Sequence, residues 1–386
     1  MRKRIFLIFS ILLTIVLVFS GCTWFSEESE FAHGFDDSNL KTPGIPPYPP
    51  HKLIIRPQEN SSQLPPGFKY NLTWAVTDVY SEWGGFIGIT CENTGQNDIF
   101  VYRYGIAVNW SEPAEWIYEE ENVLVPKGEE RDLGIVYFDA PNTTGNFSYN
   151  IILSLLVKDN KLYEEHNIES WFDNGTVHSR KKTVTVLPLE EFQEAEIIHN
   201  HNHYFEKVKE KVDFDAAGIL SLVSDVKERY PGDYNIYQGL AIYDFVLKNL
   251  SYIPDSKEED YWCVPGETLT RGGGDCEDIS ILFSSSIGAL GGTTRIYLTQ
   301  SHVFSVLYIG NETAKNGILD AIERYYKTEP NFVLFSDEKG YWIAADPAGS
   351  WYLGGLPADA SPAHMPSGYG YNFENTTDIH VVDVVG

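Results

Sequence analysis

Cysteine is scarce in this chain: four occur among 386 residues, at positions 22, 91, 263 and 276. So few exclude a small scaffold stapled by disulfides. Basic side chains are also few. Lysine and arginine total 28 against 55 aspartates and glutamates, a formal net charge of −27. That balance excludes nucleic acid and an anionic membrane surface as partners, because both repel a polyanion. An acidic surface can bind cations or basic substrates, and it also simply keeps a protein soluble. Aromatic side chains are plentiful, with 24 Tyr, 21 Phe and 9 Trp in a chain that is 43% hydrophobic, so sizeable cores can be buried. The length allows about two or three domains.

The N-terminus is a targeting segment. Met1-Arg2-Lys3-Arg4 is a basic start, and Ile5 to Phe19 is an apolar stretch too short for a comfortable membrane span. Phe19-Ser20-Gly21-Cys22 then resembles the end of a lipoprotein signal, with 1–21 as signal peptide, cleavage before Cys22 and a lipid on its thiol. An uncleaved signal anchor is the alternative. Both place the rest of the chain outside the cytoplasm, at the cell surface and held to the membrane by its N-terminal anchor. Asn60, Asn71, Asn109, Asn142, Asn146, Asn174, Asn249, Asn311 and Asn375 all begin N-x-S/T, so a glycoprotein is expected where the organism has the machinery. With Cys22 lipidated, Cys91, Cys263 and Cys276 remain. An odd number leaves at least one free or bridged to another chain.

Residues 22–65 are polar, then Pro-rich (PGIPPYPP, 43–50), and bury too little apolar surface to order themselves. They are expected to be a tether. Residues 66–187 carry β-branched and aromatic runs such as FIGITCEN, FVYRYGIAVNW, DLGIVYF and YNIILSLLV, several of them separated by Asn-, Pro- and Gly-containing turns. That spacing predicts an immunoglobulin-like β-sandwich, a spacer or binding module, with Cys91 as a buried apolar residue. After Val186-Leu187-Pro188 the texture becomes helical over 190–212, 216–230 and 236–250, so a second domain is placed at 188–386 and the whole is α+β. His199, His201 and His203 would share one face of a strand and could hold a metal there; in a helix they are a solvated face.

The chemistry concentrates at Gly272-Gly273-Gly274-Asp275-Cys276-Glu277-Asp278. Ile279, Leu282, Phe283, Ile287 and Leu290 follow with helical spacing, and Gly291-Gly292 ends the run. Cys276 therefore sits at a helix N-terminus, where unpaired N–H groups and the helix dipole favour a thiolate and a developing oxyanion. A thiolate nucleophile needs a base, and the base an orienting group. His302 opens a strand-like run (SHVFSVLYI) and is the candidate base. Asp346 ends another (YWIAADP) and is the candidate orienting acid; Asp320 and Asp337 are alternatives in the intervening stretch.

Cys, His and Asp in that chain order, on helix, strand and strand, resemble the transglutaminase-like superfamily, whose core is papain-like. The resemblance covers roughly residues 235–350, and its sharpest part is YWCVPGETLTRGGGDCEDISILFSSSIGALGG (261–292), similar to bacterial periplasmic transglutaminase-like cysteine proteinases. The link 303–345 is longer than the family's usual one, and NETAKNGILDAIERYYKTEPNFVLFSDEKG (311–340) within it resembles a partly helical insertion. The resemblance implies Cys276 as nucleophile, His302 as base and Asp346 as orienting acid. Trp262 would wall the cleft or fill the core. In the related proteinases carboxylates beside the nucleophile bind calcium, and Asp275 and Glu277 match those positions; alternatively Glu277 and Asp278 only favour the first helical turn. A Cys263–Cys276 disulfide would block the nucleophile. The expected function is a membrane-anchored extracytoplasmic cysteine peptidase acting on protein or peptide amides, with no cofactor required and calcium as a candidate ligand. A transglutaminase, an amidase or a non-catalytic surface binding protein are the alternatives.

Overall fold

A computed structural model describes residues 40–49, 54–189, 197–199, 203–255, 260–299, 302–357 and 379–386. The signal peptide, Cys22 and His201 lie outside the described residues.

Alternating apolar residues build the first strands: β1 (Asn71–Val76), β2 (Val79–Tyr80), β3 (Gly85–Glu92), β4 (Ile99–Val108), β5 (Glu115–Glu119), β6 (Val123–Val125), β7 (Glu130–Phe138) and β8 (Gly145–Lys158). One short helix, α1 (Asn160–His166), interrupts them before β9 (Trp171–His178) and β10 (Lys182–Leu187). The β-rich pattern did not show α1. Asp159 caps it by accepting the Leu162 N–H at 2.9 Å, and Asn167 ends it in the left-handed region at φ 54°. The sheets are β1-β3-β7 and β2-β10-β8-β4-β5, with β6 and β9 paired to β4 and β8. Ile87, Ile89 and Val136 of the first meet Ile106, Ile151 and Leu153 of the second in one core, which also buries Cys91. The period of two along each strand makes this packing.

The rest of the chain mixes helices and strands. β11 (Ile197–His199), α2 (His203–Lys211), α3 (Ala217–Arg229), α4 (Ile236–Asn249) and β12 (Ser251–Tyr252) come first. Then follow α5 (Pro265–Arg271), β13 (Gly273–Gly274), α6 (Cys276–Ala289), β14 (Thr293–Leu298) and β15 (Val303–Gly310). α7 (Glu312–Tyr326), β16 (Leu334–Asp337), β17 (Gly340–Ala345) and β18 (Ile379–Val385) complete it. The helical spacing over 190–212 is broken at β11, which pairs in parallel with β18 through Ile197↔Ile379. Two β-branched residues beside an open strand edge take the ladder rather than the helix. The main sheet runs β11-β18-β14-β15-β17-β16. One face, through Leu307, Ile309, Ile343 and Ala345, packs on α4, α6 and α7. The other, through Tyr297, Phe304, Val306 and Trp342, meets Tyr80 of β2.

Residues 40–49 are not a free tether. Gly44 accepts from Ile236 N and donates to Tyr234 O, both at 3.0 Å, and Tyr48 lies edge-on to Tyr237 with ring centroids 4.9 Å apart. Farther on, the Asn60 side chain accepts from Trp171 N at 2.7 Å. The segment has no core of its own, so its order comes from surfaces that the folded parts supply, and its prolines lower the entropy lost on docking. Tyr48→Ala is expected to destabilise the full chain by roughly 1–2 kcal/mol, since a half-buried ring and its aromatic contacts are lost. Denaturant unfolding checks this; an unchanged midpoint would mean that the segment does not dock in solution.

Candidate active site

The glycine run is explained by the chain's own crowding. Gly272 closes α5 in the left-handed region at φ 70°. Gly273 lies against Ser251: a β-carbon there would meet Ser251 O at 2.1 Å. One on Gly274 would meet Asp278 Oδ2 at 2.4 Å. These glycines therefore admit a backbone neighbour and a carboxylate. They lead the chain into α6 with Asp275 at its N-cap and Cys276 as its first residue.

α6 is buried on all sides, and Ile279, Leu282, Phe283, Ile287 and Leu290 sit in one core. Hydroxyls tie it to the sheet. Ser280 Oγ donates to Cys276 O at 2.7 Å and to Val303 O at 3.1 Å, and Ser284 Oγ meets Ser305 Oγ at 3.0 Å. This fastening sets Cys276 against the start of β15. Cys276, Val303 and Trp262 share one buried cluster, and the Val303 N–H points at the thiol. Trp262 is thus core packed beside the cysteine; its Nε1 donates to Asp260 Oδ1 at 3.1 Å.

His302 immediately precedes β15, and Asp346 immediately follows β17. These strands are antiparallel, with Ser305 opposite Ala345, so the two residues emerge at one end of the sheet. His302 Nε2 and Asp346 Oδ2 are hydrogen-bonded at 2.8 Å, both groups buried. Asp346 Oδ1 accepts from Ala348 N at 3.2 Å, and Thr299 accepts from His302 N at 3.1 Å, which fixes the backbone on each side. With Nε2 on the carboxylate, Nδ1 is the ring nitrogen left to serve a thiol. Asp337 is elsewhere, paired with Arg295 at 2.6 Å, and Asp320 lies on α7.

The electrostatics differ from the expectation. Burial first, then the Glu277 carboxylate, push the Cys276 thiol well above its ordinary range, against the pull of the Val303 N–H. The thiol donates to Glu277 Oε2 at 3.0 Å. Dehydration and an adjacent anion outweigh the helix N-terminus here. Cys263 is not bridged to Cys276, and the described cysteines are all free thiols. Burial, with Asp278 adding to it, lifts Cys263 to about 12 although Arg271 Nη1 donates to it at 2.7 Å. Burial also lifts Cys91 to about 12.

The carboxylates form a second feature. Asp255, Asp260 and Glu277 bring ligand oxygens within 4.8 Å of one another. The sequence paired Glu277 with Asp275; the structure joins it to Asp255 and Asp260, which the irregular PDSKEEDYW stretch (254–262) gave no pattern to single out. Asp275 is close by: its Oδ1 is buried without a hydrogen-bond partner among the described residues, and burial followed by Glu277 and Asp278 lift its carboxyl to about 8. An all-oxygen set with an unsatisfied buried carboxylate fits a hard divalent cation such as calcium. Lys207 Nζ already donates to Asp260 Oδ2 at 2.8 Å, so one ammonium serves part of this charge.

No family model matches the chain, and no curated protein matches it in sequence. Among solved structures, a candidate cysteine protease from Cytophaga hutchinsonii is similar over 83% of this chain and 91% of its own, at 12% identity and a TM-score of 0.24. Calcium-bound LapG from Legionella pneumophila aligns over 36% of this chain and 87% of its own, at 19% identity and a TM-score of 0.21. A CARDB domain from Pyrococcus furiosus, in complex with di-metal ions, aligns over 33% and 95%, at 15% identity and a TM-score of 0.20. Scores at this level decide neither fold nor activity.

Two outcomes are expected. Iodoacetamide at about pH 8, far below the raised values of Cys91 and Cys263, leaves both unlabelled in the native chain and labels them after unfolding; mass mapping reads it, and native labelling of Cys91 would contradict its burial. Calcium at about a hundred times its dissociation constant raises the unfolding free energy by about 2.7 kcal/mol. Asp260→Asn combined with Glu277→Gln removes that gain in a melting experiment. A gain that survives both substitutions would place the ion elsewhere.

Proposed function

We propose that this chain is a membrane-anchored extracytoplasmic enzyme that transfers acyl groups through the thiol of Cys276, acting first as a cysteine peptidase. The observation that carries the reading is the buried His302–Asp346 hydrogen bond at the strand end that meets Cys276. A helix that begins with the cysteine and packs on the antiparallel strands flanked by the histidine and aspartate supports a papain-like, transglutaminase-like domain over 188–386. The 66–187 segment is proposed as an immunoglobulin-like module, and the N-terminal signal with Cys22 as the anchor.

In the proposed reaction the imidazole of His302 takes the Sγ proton, and Asp346 stabilises the imidazolium. The sulfur electron pair forms a bond to the amide carbonyl carbon. Backbone N–H groups at the start of α6 face the developing oxyanion. The C–N bond then breaks as the imidazolium protonates the leaving amine, and a thioester remains. Water attacks it with His302 as base, which releases the acid and the thiol. An amine in place of water gives transamidation, the use made by a transglutaminase; an amidase would use the same steps. Asp255, Asp260 and Glu277 would hold a calcium ion, which would supply positive charge beside the thiol. Without it the thiol keeps its proton, donated in a hydrogen bond to Glu277, which favours the rival reading of a surface binding protein.

The test is incubation of the full chain with a denatured protein substrate, with and without calcium, and mass-spectrometric counting of new amino termini. Cys276→Ala is expected to abolish them, and His302→Ala to lower their rate at least about a hundredfold. Incorporation of an added primary amine would mean transamidation instead. Cleavage that persists in Cys276→Ala, or no acyl transfer by the native chain, would sink the enzyme reading and favour the binding protein.

A further inference from the structure

A cavity of about 500 Å³ opens between strands β4, β5 and β7 on one side and helices α4 and α7 on the other. Its size falls in the range of small-ligand sites. Cys276, His302 and Asp346 do not line it. Its wall combines two kinds of group. Tyr48, Tyr104, Tyr230, Tyr325 and Trp351 contribute aromatic surface, and Glu119, Glu121, Asp132 and Asp244 contribute carboxylates.

The chain already places ammonium groups on part of this wall. Lys327 pairs with Glu121, and Lys248 Nζ lies 3.4 Å from Asp244 Oδ2. Asp244 is further fixed by the hydroxyls of Tyr325 and Tyr326, at 3.1 and 3.4 Å. Among the described residues the other two carboxylates form no ion pair and accept no tyrosine hydroxyl. Asp132 accepts only the Gly134 N–H, at 3.0 Å, and Glu119 accepts no hydrogen bond among the described residues. Burial lifts the Glu119 carboxyl to about 7, against the pull of Lys327 and helped by Glu121. Four carboxylates and two lysines leave the wall short of positive charge.

Aromatic faces attract cations through their quadrupole, and a partly desolvated carboxylate attracts them more strongly than one in water. An anionic ligand would meet uncompensated negative charge, and a purely apolar one would leave the carboxylates dehydrated and unpaired. We infer that this cavity binds an organic cation, an alkylammonium or guanidinium group on a flexible stem such as a lysine or arginine side chain of a polypeptide. The stem lies along the tyrosine rings, and the charged head reaches Glu119 and Asp132. Because strands and helices both contribute to the wall, occupancy also ties the two together.

The inference is tested by binding alone, on the full chain carrying Cys276→Ala, so that no chemistry at the thiol enters. The probes are the Nα-acetyl N-methylamides of lysine and arginine, with the norleucine analogue as a neutral control, in isothermal titration calorimetry at about pH 8, where Glu119 is mostly ionised. Both cationic probes bind, and the norleucine probe binds at least about tenfold more weakly. Glu119→Gln and the more exposed Asp132→Asn each weaken the cationic probes about tenfold with an unchanged melting temperature. Norleucine binding as tight as lysine, or no cation binding, would overturn the inference. So would affinities unchanged in both variants, the behaviour of diffuse attraction to an acidic surface. Neither result would bear on Cys276, whose role is read from amide cleavage.

Discussion

A buried carboxylate must have partners, and at the end of the main sheet this requirement organises everything around it. Asp346 is 2% exposed, and its oxygens are met by the imidazole of His302 and the N–H of Ala348. Removing the imidazole would take a partner from a carboxylate in a dehydrated site, a change that costs several kcal/mol in proteins generally. The carboxylate therefore holds the imidazole in one orientation. The antiparallel register of β15 and β17 makes the pairing possible, and the helices packed against the sheet's inner face hold that register in place.

Cys276 is subject to opposing forces. A helix N-terminus and the Val303 N–H favour a thiolate; burial and Glu277 oppose it and win. The same carboxylate belongs to an acidic cluster with Asp255 and Asp260. Whatever neutralises that cluster also changes the field at the sulfur, because Glu277 directly follows Cys276 and accepts the hydrogen bond of its thiol at 3.0 Å. Charge beside the thiol thus bears directly on its ionisation.

The two β-rich parts of the chain are joined by more than one layer of contact. Phe86 and Tyr137 of the first pack on Tyr352, and Asn331 Nδ2 donates to Trp83 O at 2.8 Å. Residues 40–49 lie across the second part, where Tyr48 reaches Tyr237 and Tyr325. The acidic aromatic cavity sits where these layers separate. A net charge of −27 spread over the surface is ordinary, but a half-buried carboxylate beside tyrosine rings, such as Glu119, is less solvated than one on the open surface.

The sequence by itself determined the local features. Period-two strands, the helix from Cys276 with its apolar face, and the order of Cys276, His302 and Asp346 were all readable, because each depends on residues near in the chain or on side-chain type. The helical pattern over 190–212 misled at Ile197-Ile198-His199, where pairing to β18 overrode local propensity. Order in the Pro-rich segment was equally hidden, since its partners lie far along the chain. Only the tertiary structure decided that Glu277 joins Asp255 and Asp260, that the glycines make room for Ser251 and Asp278, and that burial raises the thiol rather than lowering it. These depend on desolvation and on contacts between distant segments, which arise when the sheet and helices close on one another and which no spacing in the sequence encodes.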